Sequence, residues 1–230
     1  KEMELAMNAF RGNGYSLCLL EPTSASGESY AQSVLKAARV FLAEGISPNE
    51  IAVFSPAGNG AECTENLNKT LRPVLNRWAR EPGPLFIESG RPGRKTLWTK
   101  GDKVVFGLRN DIEDIVPGDT GIVERVVPES GLHILTNSGK NIVVGIDETD
   151  AVSHAFALSP TEPRTGTFSC GVIVLPVSDG ASMSLQEFYA GLSKIEKRCF
   201  VVGTFDGLEQ VLGVGIPRVR VDIVCGRREE

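Results

Sequence analysis

Six cationic side chains lie near the middle of the chain, where they could neutralise phosphate groups. They are Arg91, Arg94, Lys95, Lys100, Lys103 and Arg109. A groove lined by such side chains binds a nucleic-acid backbone because each phosphate contact releases condensed counterions. The alternative is a solvated cluster of surface charges, and the sequence leaves both open. The net charge of −5 argues against a protein that is basic overall, although it allows a local basic groove.

The sequence lacks the loop that holds phosphates in many nucleoside triphosphatases. That loop has the pattern G-x-x-x-x-G-K-[ST], in which backbone amides and the lysine neutralise the phosphates. The only Gly-Lys pair, Gly139-Lys140, is followed by Asn141 and lies in a predicted hairpin turn. We therefore expect no ATP hydrolysis by this chain alone.

Histidine and cysteine spacings do not predict a metal site. His133 and His154 are the only histidines, and neither has a second ligand at a metal-binding spacing. His154 begins an apolar segment and is expected to be a structural residue. The five cysteines are scattered without a C-x-x-C pair, which predicts buried reduced thiols rather than a disulfide framework.

The hydrophobic pattern of the first 80 residues predicts strands that alternate with helices. Apolar segments at 17–20 and 51–54 flank an amphipathic helix over 31–42, which predicts a βαβ unit with parallel pairing of its strands. A second helix is predicted over 62–80, with Trp78 on its apolar side.

The pattern changes to short strands and turns between residues 97 and 144. Asn137-Ser138-Gly139 separates two of these strands, 132–136 and 142–144, and predicts a hairpin. Helix and buried-strand patterning then returns, with strands at 154–158, 171–175 and 199–202 and a helix over 185–195. The residues predicted to face inward on that helix are Leu185, Phe188, Tyr189 and Leu192.

Several segments together resemble one family. They include KGDKVVFGLRNDIEDIVPGDTGIV at 100–123, the Leu67-Asn68, Leu71 and Leu75-Asn76 spacing, and VIVLPV at 172–177. Over residues 15–213 this order resembles the C-terminal part of the RecD/TraA-type superfamily 1 DNA helicases. The resemblance implies an α/β fold, in which a RecA-like, P-loop-type parallel sheet carries an inserted SH3-like β-barrel. Residues 1–90 and 151–230 would form the two parts of the RecA-like domain, and 91–150 the barrel.

Two further segments align with motifs of that family. Residues 159–168, SPTEPRTGTF, stand where the family has T-V-H-K-S-Q-G-S-E-F, and keep the hydroxyl of Ser159 and the aromatic Phe168. Thr161-Glu162 replaces His-Lys, so a carboxylate takes the place of cationic contacts, and Arg164-Thr165 replaces Gln-Gly. The resemblance implies DNA contacts from Ser159 and Thr161 and a nucleotide contact from Arg164.

The second aligned segment is YAGLSKIEK at 189–197, which resembles Y-T-A-I-T-R-A-K-K of the family. Lys194 stands at the arginine-finger position, and the resemblance implies a catalytic and nucleotide-binding role for it. Lysine lacks the planar fork of arginine, and an arginine finger contributes about 10³-fold or more in rate. The substitution therefore predicts slower turnover, or none.

The resemblance implies that this region binds single-stranded DNA through Lys100, Lys103 and Arg109. It would act on ATP and Mg²⁺ only with an N-terminal RecA-like domain, and the first residue, Lys1, suggests that the chain belongs to something longer. The alternative is a degenerate, non-catalytic module for DNA binding or protein docking, as in vestigial helicase regions of conjugative relaxases. A third possibility is a pure protein-interaction scaffold. Other proteins of a repair or conjugation complex are further candidate partners. With no apolar run of 18 residues, we expect a cytoplasmic protein without a membrane partner.

Overall fold

Two five-stranded β-sheets organise the chain in the computed structural model. It describes residues 4–7, 16–24, 27–56, 62–79, 87–89, 96–107, 115–162, 166–176 and 182–213. The strands are β1 (Glu4–Met7), β2 (Ser16–Leu20), β3 (Ile51–Phe54), β4 (Ile87–Ser89), β5 (Thr96–Trp98), β6 (Lys103–Phe106), β7 (Thr120–Val127), β8 (Gly131–Thr136), β9 (Asn141–Val144), β10 (Val152–His154), β11 (Phe168–Val174) and β12 (Ile195–Val202). The α-helices are α1 (Gly27–Ala43), α2 (Thr64–Leu75), α3 (Leu185–Leu192) and α4 (Phe205–Leu212).

The first sheet has the strand order β1-β2-β12-β11-β3. Its last four strands are parallel, and β1 pairs antiparallel with β2. Val53 and Val172 belong to a core with side chains of α1 and α2, whereas Ile173 and Val201 belong to a second core with α3 and α4. Helices therefore cover both faces of the sheet, which explains why its strands are continuous apolar runs. The mixed α/β class with a parallel sheet is confirmed.

A five-stranded antiparallel sheet, in the order β10-β6-β7-β8-β9, lies between β3 and β11 along the chain. Its own core includes Trp98, Val104, Val123, Leu132 and Ile134. The hairpin predicted at 132–144 is present, because β8 and β9 pair antiparallel around the Asn137-Ser138-Gly139 turn. Strands β4 and β5 form a separate two-stranded sheet. The closure of these strands into an SH3-like barrel stays a prediction, as do the domain boundaries.

The sequence prediction of neighbouring strands in the first sheet was wrong. Strands β2 and β3 run in the same direction, but β12 and β11 lie between them. The pairing partners come from the far end of the chain, so local periodicity could not reveal them.

Two other predicted elements also differ. Strand β10 ends at His154, and the buried residues 155–158 lead from the second sheet to β3, where Leu158 forms one parallel bridge with Phe54. Helix α3 ends at Leu192, and Leu185 and Tyr189 are exposed on it while Phe188 is buried. A capping box at Ser184 and Glu187 fixes where α3 begins. Of the apolar residues predicted to face inward on this helix, Phe188 packs in the core, whereas Leu185 and Tyr189 face solvent.

Candidate nucleic-acid interface

Helix α2 and its C-cap present three polar side chains at four-residue spacing towards the junction between the two sheets. They are Asn68 and Arg72, which lie on one face of the helix, and the C-cap residue Asn76. The Asn68 Nδ2 atom donates to the Ala157 carbonyl at 2.9 Å, and the Ala157 amide donates to Asn68 Oδ1 at 2.8 Å. Asn68 therefore pairs with the backbone of the segment that returns from the second sheet to the first.

A buried carboxylate, Asp102, lies at the centre of this junction and is 0% exposed. Arg72 donates from Nε to Oδ1 and from Nη2 to Oδ2, both at 2.8 Å. Asn76 Nδ2 and the Thr99 backbone amide donate to the same carboxylate at 2.8 Å. His154 Nε2 lies 3.4 Å from Oδ2. Asp102 thus joins α2 to the turn before β6 and to β10, and we call these five residues the Asp102 clamp.

The clamp keeps Asp102 ionised although it is buried. Burial alone would raise the pKa of a carboxyl group, because it penalises the charged form. The hydrogen bonds and charges of His154 and Arg72 outweigh burial, so the pKa of Asp102 lies below its ordinary 3.8. His154 also packs against Trp98, with ring centroids 4.4 Å apart. The expectation of a structural role for His154 agrees with these contacts.

Lys103 lies in the interior rather than along a groove. Its Nζ donates to the carbonyls of Ile51 at 2.8 Å and Pro48 at 3.2 Å, and the residue is only 7% exposed. Burial lowers its pKa to about 8. Because no exposed ammonium is available to a phosphate, the expected DNA contact from Lys103 is corrected to a tie between the sheets. Its sequence neighbours suggested a basic surface, but the strand turns this side chain towards β3.

Lys100 is exposed and lies beside an exposed indole. Trp78 is 43% exposed, although the sequence placed it on the apolar face of a helix. Helix α2 ends at Leu75, and residues 77–79 form a 3-10 turn that directs the indole outward. The Lys100 Nζ lies 5.7 Å from the indole centroid, and the Arg77 Cζ lies 4.9 Å from it.

The two segments that align with helicase motifs lie against each other. Lys194 Nζ donates to the carbonyls of Glu162 at 2.8 Å and Pro160 at 2.9 Å. The Phe168 amide donates to the Lys194 carbonyl at 2.8 Å, and burial lowers the pKa of the Lys194 ammonium. The Lys194 side chain, at the expected arginine-finger position, therefore joins residues 159–162 to the start of β12.

Ser159 and Thr161 lie in the same cluster as Lys194, and their hydroxyls are 2.9 Å apart. Arg109 and Arg164 lie outside the described residues. The sequence reading missed Arg72 and the clamp that it forms with Asp102. The available signal was the four-residue spacing of Asn68, Arg72 and Asn76, combined with the Gly101-Asp102 turn.

The described ranges contain no candidate metal site and no candidate membrane-spanning helix. No group of three or more His, Cys, Asp or Glu residues is arranged there to hold a metal ion. None of the helices that the structure describes is both long and apolar enough to span a bilayer.

Comparison with solved structures finds helicases at low similarity. A structure described as two coordinating Pif1 helicases at forked double-stranded DNA matches with a TM-score of 0.44 and 13% identity, covering 79% of this chain and 48% of that chain. Pif1 helicase from Bacteroides with ADP-AlF3 and single-stranded DNA matches with a TM-score of 0.43 and 13% identity, over 79% and 50% of the two chains. Pif1 helicase from Candida albicans gives 0.43 and 13%, over 79% and 53%. The chain thus spans about half the length of these structures.

No protein-family model matches the chain, and no curated protein matches its sequence. At TM-scores below 0.5 the structural matches do not assign a family. Function is therefore inferred from the residues and contacts of this chain.

Proposed function

We propose that this chain is a single-stranded DNA-binding region of a superfamily 1 helicase-like protein. The supporting observation is a parallel sheet interrupted after β3 by a second sheet, which the Asp102 clamp fixes against α2. Lys100, next to this clamp, is exposed at the junction. A single strand that crosses this surface would gain affinity from phosphate neutralisation.

In this proposal the second sheet is the inserted SH3-like barrel of a RecD-like protein, with its limits near residues 91 and 150. The first sheet is the second RecA-like domain. ATP and Mg²⁺ would be held with an N-terminal RecA-like domain that supplies the phosphate-binding loop, and translocation would need both domains. Ser159, Thr161 and Arg109 remain proposed DNA contacts, and Arg164 and Lys194 proposed nucleotide contacts.

The paired variants Lys100→Ala and Lys103→Met test the proposed DNA surface. The two lysines are three positions apart, but Lys100 is exposed and the Lys103 ammonium is hydrogen-bonded to two carbonyls. Removing a cation that contacts a phosphate of a single strand reduces the slope of log affinity against log salt by about 0.7. We expect this reduction in Lys100→Ala and an unchanged slope in Lys103→Met, both measured by fluorescence anisotropy with a labelled oligonucleotide. Equal slopes in Lys100→Ala and the wild type would show that Lys100 does not contact a phosphate of the bound strand.

A second candidate is a non-catalytic module of the same fold. It is favoured by Lys194, whose ammonium is occupied by the carbonyls of Pro160 and Glu162. To reach a γ-phosphate, this side chain would have to break both hydrogen bonds. A hydrogen bond to a charged group makes a net contribution of about 1.5–3 kcal/mol to stability. The position is therefore better suited to holding the two motif segments together than to stabilising a transition state.

Nucleotide dependence separates the two candidates. For the full-length protein, a non-catalytic module predicts the same single-strand affinity with and without ATP and Mg²⁺, in the wild type and in Lys194→Met. A working helicase predicts that nucleotide changes the affinity and that Lys194→Met lowers DNA-stimulated ATP hydrolysis. Phosphate release and anisotropy measured on the same preparations distinguish these results, and a nucleotide-dependent wild type would exclude the non-catalytic candidate.

A further inference from the structure

One exposed aromatic residue is held in place by buried polar groups. Asn76 is only 3% exposed, and its Oδ1 atom accepts a hydrogen bond from the Trp78 backbone amide at 3.0 Å. The Nδ2 atom of the same side chain donates to the Lys100 carbonyl at 2.9 Å and to Asp102 at 2.8 Å. The backbone positions of Trp78 and Lys100 are therefore both fixed by one amide group that belongs to the Asp102 clamp.

The turn at Gly101 allows this close packing. Its φ is +81°, and a Cβ at this position would lie 2.7 Å from Asn76 Oδ1 and 3.2 Å from Trp78 Cδ1. The backbone thus passes directly against the edge of the indole, and a side chain there would push the ring away. An exposed tryptophan that is supported in this way has a defined orientation.

Both side chains that contact the indole are cations. Arg77 lies 4.9 Å and Lys100 5.7 Å from the ring centroid. An exposed aromatic face beside positive charge is complementary to a nucleotide, which has a base that stacks and a phosphate that pairs with a cation. We propose that Trp78, with Arg77 and Lys100, is a stacking platform for one unpaired base of single-stranded DNA.

A stacked base is expected to bind the Trp78 indole more strongly than Lys100 or Arg77 does. An exposed cation–π contact contributes about 0.5–1 kcal/mol, whereas stacking of a base on an aromatic side chain contributes about 1–3 kcal/mol. A base can therefore displace Lys100 or Arg77 from the ring. The displaced cation is then free to contact a phosphate of the bound strand, independently of the stacked base.

This inference rests on the proposed function, and the fluorescence of the chain tests it separately. The chain has two tryptophans, and Trp98 is buried at 1% exposure. A base that stacks on the exposed indole is expected to quench Trp78 and leave Trp98 emission unchanged. Titration with oligothymidylate should therefore quench wild-type emission, whereas an abasic oligonucleotide of the same length should bind more weakly and without quenching.

Substitution provides the second arm of the experiment. Trp78→Ala is expected to weaken binding of oligothymidylate by about 5- to 150-fold, and Trp78→Phe by less, because phenylalanine retains a stacking ring. Neither variant should change the salt slope, which depends on the cations. Val143→Ala, which truncates an apolar side chain of similar exposure on the second sheet, is the control and should bind like the wild type.

The outcomes separate the two claims. If oligothymidylate binds but Trp78→Ala is as tight as the wild type, or the abasic strand binds equally well, the platform is wrong and the proposed DNA binding stands. If no single strand binds even at low ionic strength, the proposed function and the platform both fail. Unfolding curves of Trp78→Ala and Val143→Ala confirm that each variant is folded before binding is compared.

Discussion

Replacing Asp102 by alanine is expected to lower the free energy of unfolding by about 3–5 kcal/mol, because the change leaves a buried guanidinium without its partner. The Arg72 side chain is only 13% exposed, and the Asn76 amide and the Thr99 backbone amide would also lose their acceptor. Equilibrium denaturation by urea measures the loss. A loss of this size is a large fraction of the stability of a typical domain.

The matched control is Glu65→Ala. Glu65 pairs with Lys69 one turn along the same helix, but both side chains are more than half exposed. Exposed pairs of this kind contribute about 0.3–0.5 kcal/mol, so the control should remain close to the wild type. Similar small losses in both variants would mean that the Asp102 clamp does not hold the two sheets together.

The contribution of Asp102 should also depend on pH. The pKa of this carboxyl group in the folded chain lies below its ordinary 3.8, so the folded state favours the ionised form. The stabilisation is therefore complete above the ordinary value and is lost as the pH falls through the folded pKa. The stability difference between the wild type and Asp102→Asn should accordingly shrink only in acid, below about pH 4.

Lys103→Met is expected to remove a pH dependence of the free energy of unfolding that lies in the alkaline range. In the folded chain the pKa of Lys103 is about 8, against an ordinary value of 10.5. Between these values the unfolded chain binds more protons, so wild-type stability rises with pH. Relative to Lys103→Met, the wild type should gain about 3 kcal/mol across this window, at about 1.4 kcal/mol for each pH unit.

Urea denaturation of both proteins at several pH values from 7 to 10.5 measures this gain, and other titrating groups cancel in the difference. A difference that stays constant across the range would show that the ammonium is solvated. Lys103 would then return as a candidate phosphate contact.

Local patterns predicted most of the elements correctly, because their information lies in consecutive residues. The apolar runs of β2, β3, β11 and β12 identify buried strands, and the Asn137-Ser138-Gly139 turn identifies the β8–β9 hairpin. Strand order could not be predicted in the same way. The insertion of β11 and β12 between β2 and β3 depends on contacts between residues more than a hundred positions apart.

The candidate interface was predicted only in part, for a similar reason. Lys100 and Lys103 look alike in the sequence, but Lys103 lies in β6 and its ammonium reaches the Pro48 and Ile51 carbonyls, whereas Lys100 lies in the exposed turn before β6. Trp78 has the spacing of a core residue, and only the end of α2 at Leu75 turns it outward. Predicting such positions requires the ends of each element, which hydrophobic periodicity locates poorly.

Titration of the full chain into labelled single-stranded and double-stranded oligonucleotides, at low and then at raised ionic strength, tests the central claim most directly. The proposal predicts saturable binding of the single strand at low salt, tighter than that of the duplex, and weaker as salt is added because phosphate contacts release counterions. Absence of single-strand binding at low ionic strength, where electrostatic attraction is strongest, would contradict it.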